Sequence, residues 1–205
     1  MSEFDLSTPS VEQRRQLTAE LDDDERRVLL EHGTERAFCG VFLDNKLDGI
    51  YTCRFCGLPL FRSDAKFDSG TGWPSFFRPV DARHVQVVRD SSYGMIRDEI
   101  ICARCHSHLG HVFPDGPPPT GQRHCLNSVS LGFTRSGQPL PDRLGRGGER
   151  AGGVEEAPDD GGHPRDLAVH DRELRGVLSG FDLVVALQQG AERLCARLPV
   201  GAREG

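Results

Sequence analysis

Cysteine and histidine are the residues here whose spacing can do chemistry. Cys53-Arg-Phe-Cys56 and Cys102-Ala-Arg-Cys105 are two separate Cys-x-x-Cys elements. Two residues between thiols let both sulfurs reach one tetrahedral ion at about 2.3 Å, and two such knuckles supply a complete four-thiolate set. The expectation is one structural Zn2+ held by Cys53, Cys56, Cys102 and Cys105, with no open position for a reacting water. Metal binding worth on the order of 10–16 kcal/mol would be comparable with the whole stability of a small domain. A thioredoxin-like redox pair is the rival reading of either knuckle. That motif opens a helix after a strand, and neither knuckle has that context.

Seven cysteines in all leave Cys39, Cys125 and Cys195 outside the metal set. Cys125 lies in Arg123-His-Cys-Leu-Asn-Ser-Val-Ser-Leu-Gly-Phe133, a run with strand character. Alternation along a strand predicts that Arg123, Cys125 and Asn127 share one face, with Val129, Leu131 and Phe133 continuing the row. A guanidinium and an amide beside a thiol favour its thiolate. A fall in thiol pKa from about 8.5 to about 6.5 would raise the thiolate fraction at pH 7 roughly 25-fold. A buried, inert cysteine is the plainer alternative.

His106, His108 and His111 follow the second knuckle directly. With zinc satisfied by four thiolates, these imidazoles are free for proton transfer near neutral pH, and Asp115 is near enough in sequence to orient one of them. Trp73, the sole tryptophan, sits between Gly72 and Pro74 in a turn-rich stretch. It reads either as core packing or as an aromatic wall for a sulfur-bearing ligand.

The elements that must position these groups fall into three stretches. From Ser10 to His32 the chain lacks Gly and Pro and predicts two short helices, the second starting near Asp22-Asp23-Asp24 and ending before Gly33. From Gly33 to Phe133, short β-like runs alternate with turns, with candidate strands at His84–Asp90, Gly94–Cys102 and Arg123–Phe133. The reading is a mainly β domain over residues 10–140. Residues 141–205 read as a Gly-, Pro- and charge-rich extension, with a helical spacing of apolar residues from Phe181 to Leu198.

A net charge of −6 over 205 residues argues against nucleic acid or an anionic membrane as partner. No apolar run is long enough to span a bilayer, and no basic leader precedes an apolar stretch, so the expectation is a cytoplasmic protein. Reducing compartments favour metal-bound or catalytic thiols over structural disulfides.

Taken in order, His32-Gly-Thr-Glu-Arg-Ala-Phe, Gly49-Ile-Tyr-Thr-Cys-Arg-Phe-Cys-Gly, Lys66-Phe-Asp-Ser-Gly-Thr-Gly-Trp-Pro-Ser-Phe, Cys102-Ala-Arg-Cys-His-Ser-His-Leu-Gly-His-Val-Phe-Pro-Asp-Gly-Pro and Arg123-His-Cys-Leu-Asn-Ser resemble the methionine-R-sulfoxide reductase B family. The resemblance runs from about Leu17 to Phe133. It implies two small antiparallel sheets stapled by zinc, with short N-terminal helices. It further implies reduction of the R epimer of methionine sulfoxide in oxidised proteins or peptides, with thioredoxin or a similar dithiol as reductant. By position, Cys125 stands as the nucleophile. His108 and His111 match the sulfoxide-binding and protonating histidines, with Asp115 beside them. Trp73 matches the methyl pocket, and Arg123 and Asn127 flank the nucleophile.

Two departures matter. Many members carry a resolving cysteine where Thr71 stands here. A subtype carries it near the N-terminus instead, and Cys39 matches that place. His124 replaces the usual aromatic residue, and by alternation it faces away from Cys125. The competing reading is a non-catalytic zinc-binding interaction module, which would keep the four knuckle cysteines but have no need of Cys125, Arg123, Asn127, His108 and His111.

Overall fold

A computed structural model describes residues 4–91 and 96–146. Two helices lead the chain in, α1 (Val11–Ala19) and α2 (Asp23–Leu29). Each opens on a capping box, Ser10 with Gln13 and Asp22 with Glu25, which satisfies amides that a helix start leaves open. The acidic cluster does what its position suggested: Asp22 is the cap, and Asp23 and Asp24 fill the first turn. Leu17, Leu21, Val28 and Leu29 are buried against the sheets.

Nine strands follow among the described residues: β1 (Gly49–Cys53), β2 (Pro59–Arg62), β3 (Lys66–Phe67), β4 (Ser75–Phe76), β5 (Val85–Asp90), β6 (Arg97–Cys102), β7 (His108–Phe113), β8 (Arg123–Leu126) and β9 (Leu131–Arg135). They form a three-stranded sheet, β2-β1-β9, and a six-stranded sheet, β3-β4-β8-β7-β6-β5. All pairings are antiparallel. Aromatic rings join the two sheets. Tyr51 of β1 lies 4.9 Å from both Phe76 of β4 and Phe133 of β9, and Phe61 of β2 stacks on Phe76 at 4.7 Å. Each such pair is worth about 0.5–1.5 kcal/mol beyond the apolar area it buries.

The strand expected over Arg123–Phe133 is two strands in different sheets. A 3-10 turn at Ser128–Ser130 separates β8 from β9. The cause is distant in sequence. The Glu35 carboxylate accepts the amide hydrogens of Ser128 at 2.6 Å and Val129 at 3.1 Å, taking donors that a continuous ladder would need. The row Arg123, Cys125, Asn127 therefore stops there, and Leu131 and Phe133 serve the small sheet.

Beyond β9 the chain packs back on the body. Leu140 and Leu144 are buried, and Arg143 donates to the Phe55 carbonyl at 3.0 Å and to Glu20 at 2.7 Å. The segment from Phe181 to Leu198, with Cys195, lies outside the described residues. No helix of the described residues is long and apolar enough to cross a membrane.

Candidate active site and metal centre

The two knuckles are built alike. Cys53 closes β1, and its carbonyl accepts from Gly57 N at 2.8 Å; Cys102 closes β6, and its carbonyl accepts from His106 N at 2.9 Å. Gly57 and His106 hold the matching left-handed position, with φ of 79° and 61°. These turns bring four buried sulfurs together, with Cys53 to Cys105 and Cys56 to Cys102 both at 3.6 Å. Four sulfurs at about 2.3 Å from one tetrahedral ion lie about 3.8 Å apart, so the cluster needs almost no movement to hold a metal ion. Burial pushes the Cys53, Cys56 and Cys102 thiols well up, while hydrogen bonds from the other three sulfurs pull Cys105 down. A bound cation would replace the protons that burial otherwise retains.

The second constellation lies across the large sheet. In the ladder, Ser75 of β4 stands opposite Cys125 of β8, Cys125 opposite His111 of β7, and His111 opposite Glu99 of β6. Directly opposed side chains in an antiparallel ladder share a face with Cβ atoms about 4.5–5.5 Å apart. Cys125 is thus flanked by a hydroxyl on one side and an imidazole on the other. His108 joins the same group through a bulge: Ile100 pairs with Gly110, yet Ile101 pairs with His108, so β7 holds one extra residue. Without it, residues three apart would point to opposite faces. With it, the His108 and His111 rings meet edge-on, 5.4 Å between centroids. Gly110 is obligatory at this bend, because a Cβ there would sit 2.0 Å from the Cys125 carbonyl oxygen.

Around the thiol, Thr71 Oγ1 lies 3.9 Å from Cys125 Sγ and is bonded to Ser69, which in turn bonds Ser75. Arg123 lies over the Phe113 ring at 4.4 Å and makes a two-pronged ion pair with Asp115, both distances 2.9 Å. Burial raises the Cys125 thiol above its ordinary value; Thr71, Arg123 and Ser75 each pull it down, but not enough to reverse that. This corrects the expected acidic thiol: β8 packs Cys125 half-buried, and desolvation of the anion outweighs its neighbours.

The histidines are oriented by carboxylates other than the one expected. Asp115 binds Arg123, so its place is beside the guanidinium and away from both imidazoles in the hydrogen-bond pattern. His108 Nδ1 is 2.6 Å from Glu99 Oε1, and His111 Nε2 is 3.2 Å from Asp90 Oδ2. His108 is 1% exposed, and its Nε2 is buried with no hydrogen-bond partner. Burial lowers the His108 pKa, Glu99 opposing. His106 faces solvent on the knuckle.

Asn127 and Trp73 are tied to one residue that the sequence did not single out. Asn127 Oδ1 accepts from Glu35 N at 2.9 Å and its amide donates to Leu109 O at 3.2 Å, while Trp73 Nε1 donates to Glu35 O at 3.2 Å. Glu35 therefore fixes Trp73, Asn127 and the turn after β8 together. His124, expected by alternation to face away from Cys125, is buried beside Phe61 with Nδ1 3.1 Å from the Phe76 carbonyl. Cys39 follows Phe38, whose amide donates to Gly72 O at 2.8 Å. That bond seats the Cys39 loop on the strap whose Thr71 touches Cys125. The Cys125 thiol is free.

Comparison with known proteins covers this whole site. A SelR domain model matches residues 21–135. The peptide methionine sulfoxide reductase MsrB of Xylella fastidiosa (strain 9a5c) is 62% identical over 148 residues, spanning 72% of this chain and 96% of that protein. The MsrB of Caulobacter vibrioides (strain NA1000 / CB15N) is 60% identical over 144 residues, 70% of this chain and 91% of that one. The MsrB of Methanosarcina mazei is 57% identical over 115 residues, 56% of this chain and 82% of that one. With the model spanning more than half the sequence and such identity across nearly whole relatives, this chain belongs to the SelR domain family.

Proposed function

We propose that the chain is a peptide-methionine (R)-S-oxide reductase in which Cys125 is the nucleophile. The observation that supports this best is the transverse row Ser75, Cys125, His111, Glu99, which sets a free thiol beside two carboxylate-oriented imidazoles. Cys125 attacks the sulfoxide sulfur as the thiolate. An imidazole gives the oxygen its proton, the substrate S–O bond breaks, and the S–S bond formed in the attack breaks in turn as the hydroxyl passes to Cys125, leaving the thioether and a Cys125 sulfenic acid. The unpartnered Nε2 favours His108 as that acid, with His111 beside it. Arg123, itself held by Asp115, favours the thiolate as it forms, and Asn127 steadies the end of β8. Trp73, pinned through Glu35, serves as the wall for the sulfoxide methyl group.

The sulfenic acid then condenses with a second thiol, releasing water and forming a disulfide. Cys39 is our assignment for that thiol, supported by the Phe38–Gly72 bond that seats its loop beside Thr71. Thioredoxin or a similar dithiol restores both thiols by exchange. The knuckle cysteines hold one Zn2+, which when bound supplies structural closure and no open coordination position. The catalytic unit is residues 10–140, and a cytoplasmic setting suits the free thiols.

The test is turnover of the zinc-loaded chain on a peptide sulfoxide. Cys125→Ser is expected to lose even the first turnover. Cys39→Ser is expected to complete one turnover and then recycle poorly with thioredoxin. Undiminished first turnover in Cys125→Ser refutes the nucleophile, and full thioredoxin-driven turnover in Cys39→Ser refutes the resolving role.

A further inference from the structure

Glu99 sits between two imidazoles that come from separate parts of the chain. His32 lies after α2 and His108 on β7, yet both place Nδ1 2.6 Å from the same oxygen, Glu99 Oε1. The environments are opposite. The His108 side chain is 1% exposed and the His32 side chain 56%, with Glu99 at 11% between them. His32 holds this pose with a left-handed backbone, φ 58°, which is uncommon outside glycine.

The consequence concerns where protons sit on His108. Its Nδ1–H is committed to Glu99, so in the neutral ring Nε2 has a lone pair and no proton. Nε2 can donate only from the imidazolium form. Burial disfavours that form, and the neighbouring His111 and His32 disfavour it further; Glu99 is the group that opposes all three. Asp90, paired with Arg97, faces His111.

We propose that Glu99 is the positioning residue of the sulfoxide-protonating acid, with His32 as its anchor: His32 holds the carboxylate, and the carboxylate fixes the His108 tautomer and serves as counter-ion to its charged form. This rests on His108 being the acid in the proposed reductase. Glu99 touches no reacting atom in this scheme. It acts through the imidazole, as a carboxylate behind a catalytic histidine does. His32 works one step further back, by keeping Oε1 turned toward His108.

The experiment uses the full, zinc-loaded chain with Glu99→Gln and His32→Asn; Asn tolerates the left-handed backbone that His32 adopts. Two readouts are taken. The kcat/KM for an R-sulfoxide peptide is followed against pH, and the His108 ring nitrogens are observed by 15N NMR. Positioned acids contribute about 10²–10⁴-fold, and Glu99→Gln should forfeit about tenfold or more of that at pH 7. The alkaline fall in rate should move to lower pH, because imidazolium is lost sooner without its counter-ion. His32→Asn should shift the profile the same way by less. NMR should find the wild-type His108 proton on Nδ1 and a changed tautomer in Glu99→Gln. An active wild type whose pH profile is matched by Glu99→Gln overturns the proposal, as does a wild-type His108 protonated on Nε2 alone. Two metal ions per purified chain, the second lost in His32→Asn, would make the cluster a metal site and overturn it as well. A wild type inactive on the R-sulfoxide defeats the reductase reading, while the NMR result still decides the tautomer.

Discussion

Replacing Arg123 with methionine tests how the thiol is tuned. An ordinary thiol of pKa about 8.5 is about 3% thiolate at pH 7, and Cys125, raised by burial, has less. The Arg123 guanidinium is one of the groups opposing that rise, and its side chain is 10% exposed. Unit charges at 4 Å are worth about 1 kcal/mol in water and about 4 kcal/mol at an effective dielectric of 20. Asp115 offsets part of the Arg123 charge through its two bonds, so the lower end of that range applies, about 1.4 kcal/mol. Methionine keeps the contact with the Phe113 ring and removes the cation. Iodoacetamide labelling of Cys125, read peptide by peptide against pH, should therefore slow about tenfold at pH 7 in Arg123→Met. The two rates should converge at high pH, where both thiols are ionised. A wild-type midpoint near 6.5, or labelling unchanged by Arg123→Met, would refute this account of the thiol.

Other perturbations probe the frame around the site. Cys56→Ser, or strong chelation, should strip the metal and unfold the domain, since a closed site worth on the order of 10–16 kcal/mol rivals total stability; near-ultraviolet circular dichroism with metal analysis checks it. Gly110→Ala forces a Cβ to 2.0 Å from the Cys125 carbonyl and 2.9 Å from Leu126 Cα, so urea melts should show a loss of about 1–3 kcal/mol or more. Burial, opposed by the Ser128 and Val129 amides, raises the Glu35 pKa above the carboxylate value of 4.5. Glu35 therefore contributes stability that is fully present below its unfolded pKa and lost as pH rises through the folded one. The stability of the wild type minus that of Glu35→Gln should fall over that window, and a difference independent of pH would contradict the sign.

What the sequence disclosed was local. The knuckles were legible because four cysteines sit in two short turns with fixed spacing, and the helix starts because Ser10 and Asp22 announce their own caps. Cys125 and its neighbours in Arg123-His-Cys-Leu-Asn were legible through strand alternation and family resemblance. What it hid depends on pairing between strands. Glu99 and Asp90 reach the histidines only because β5, β6 and β7 lie side by side in register. Asp115 looked closer in sequence, but its place after β7 turns it to Arg123. β7 was missed because Gly110 and the bulge break its alternation, the same irregularity that puts His108 and His111 together. Glu35 gave no periodic signal, although the acceptors and donors it satisfies decide where β8 ends. The thiol pKa was misjudged because neighbours can be read from a strand but burial cannot.

The most direct measurement of the central claim offers the zinc-loaded chain separate R and S epimers of an N-blocked methionine sulfoxide, with dithiothreitol as reductant. The account predicts consumption of the R epimer alone, dependent on Cys125. Consumption of neither epimer by folded, metal-loaded protein, or of the S epimer alone, would contradict it.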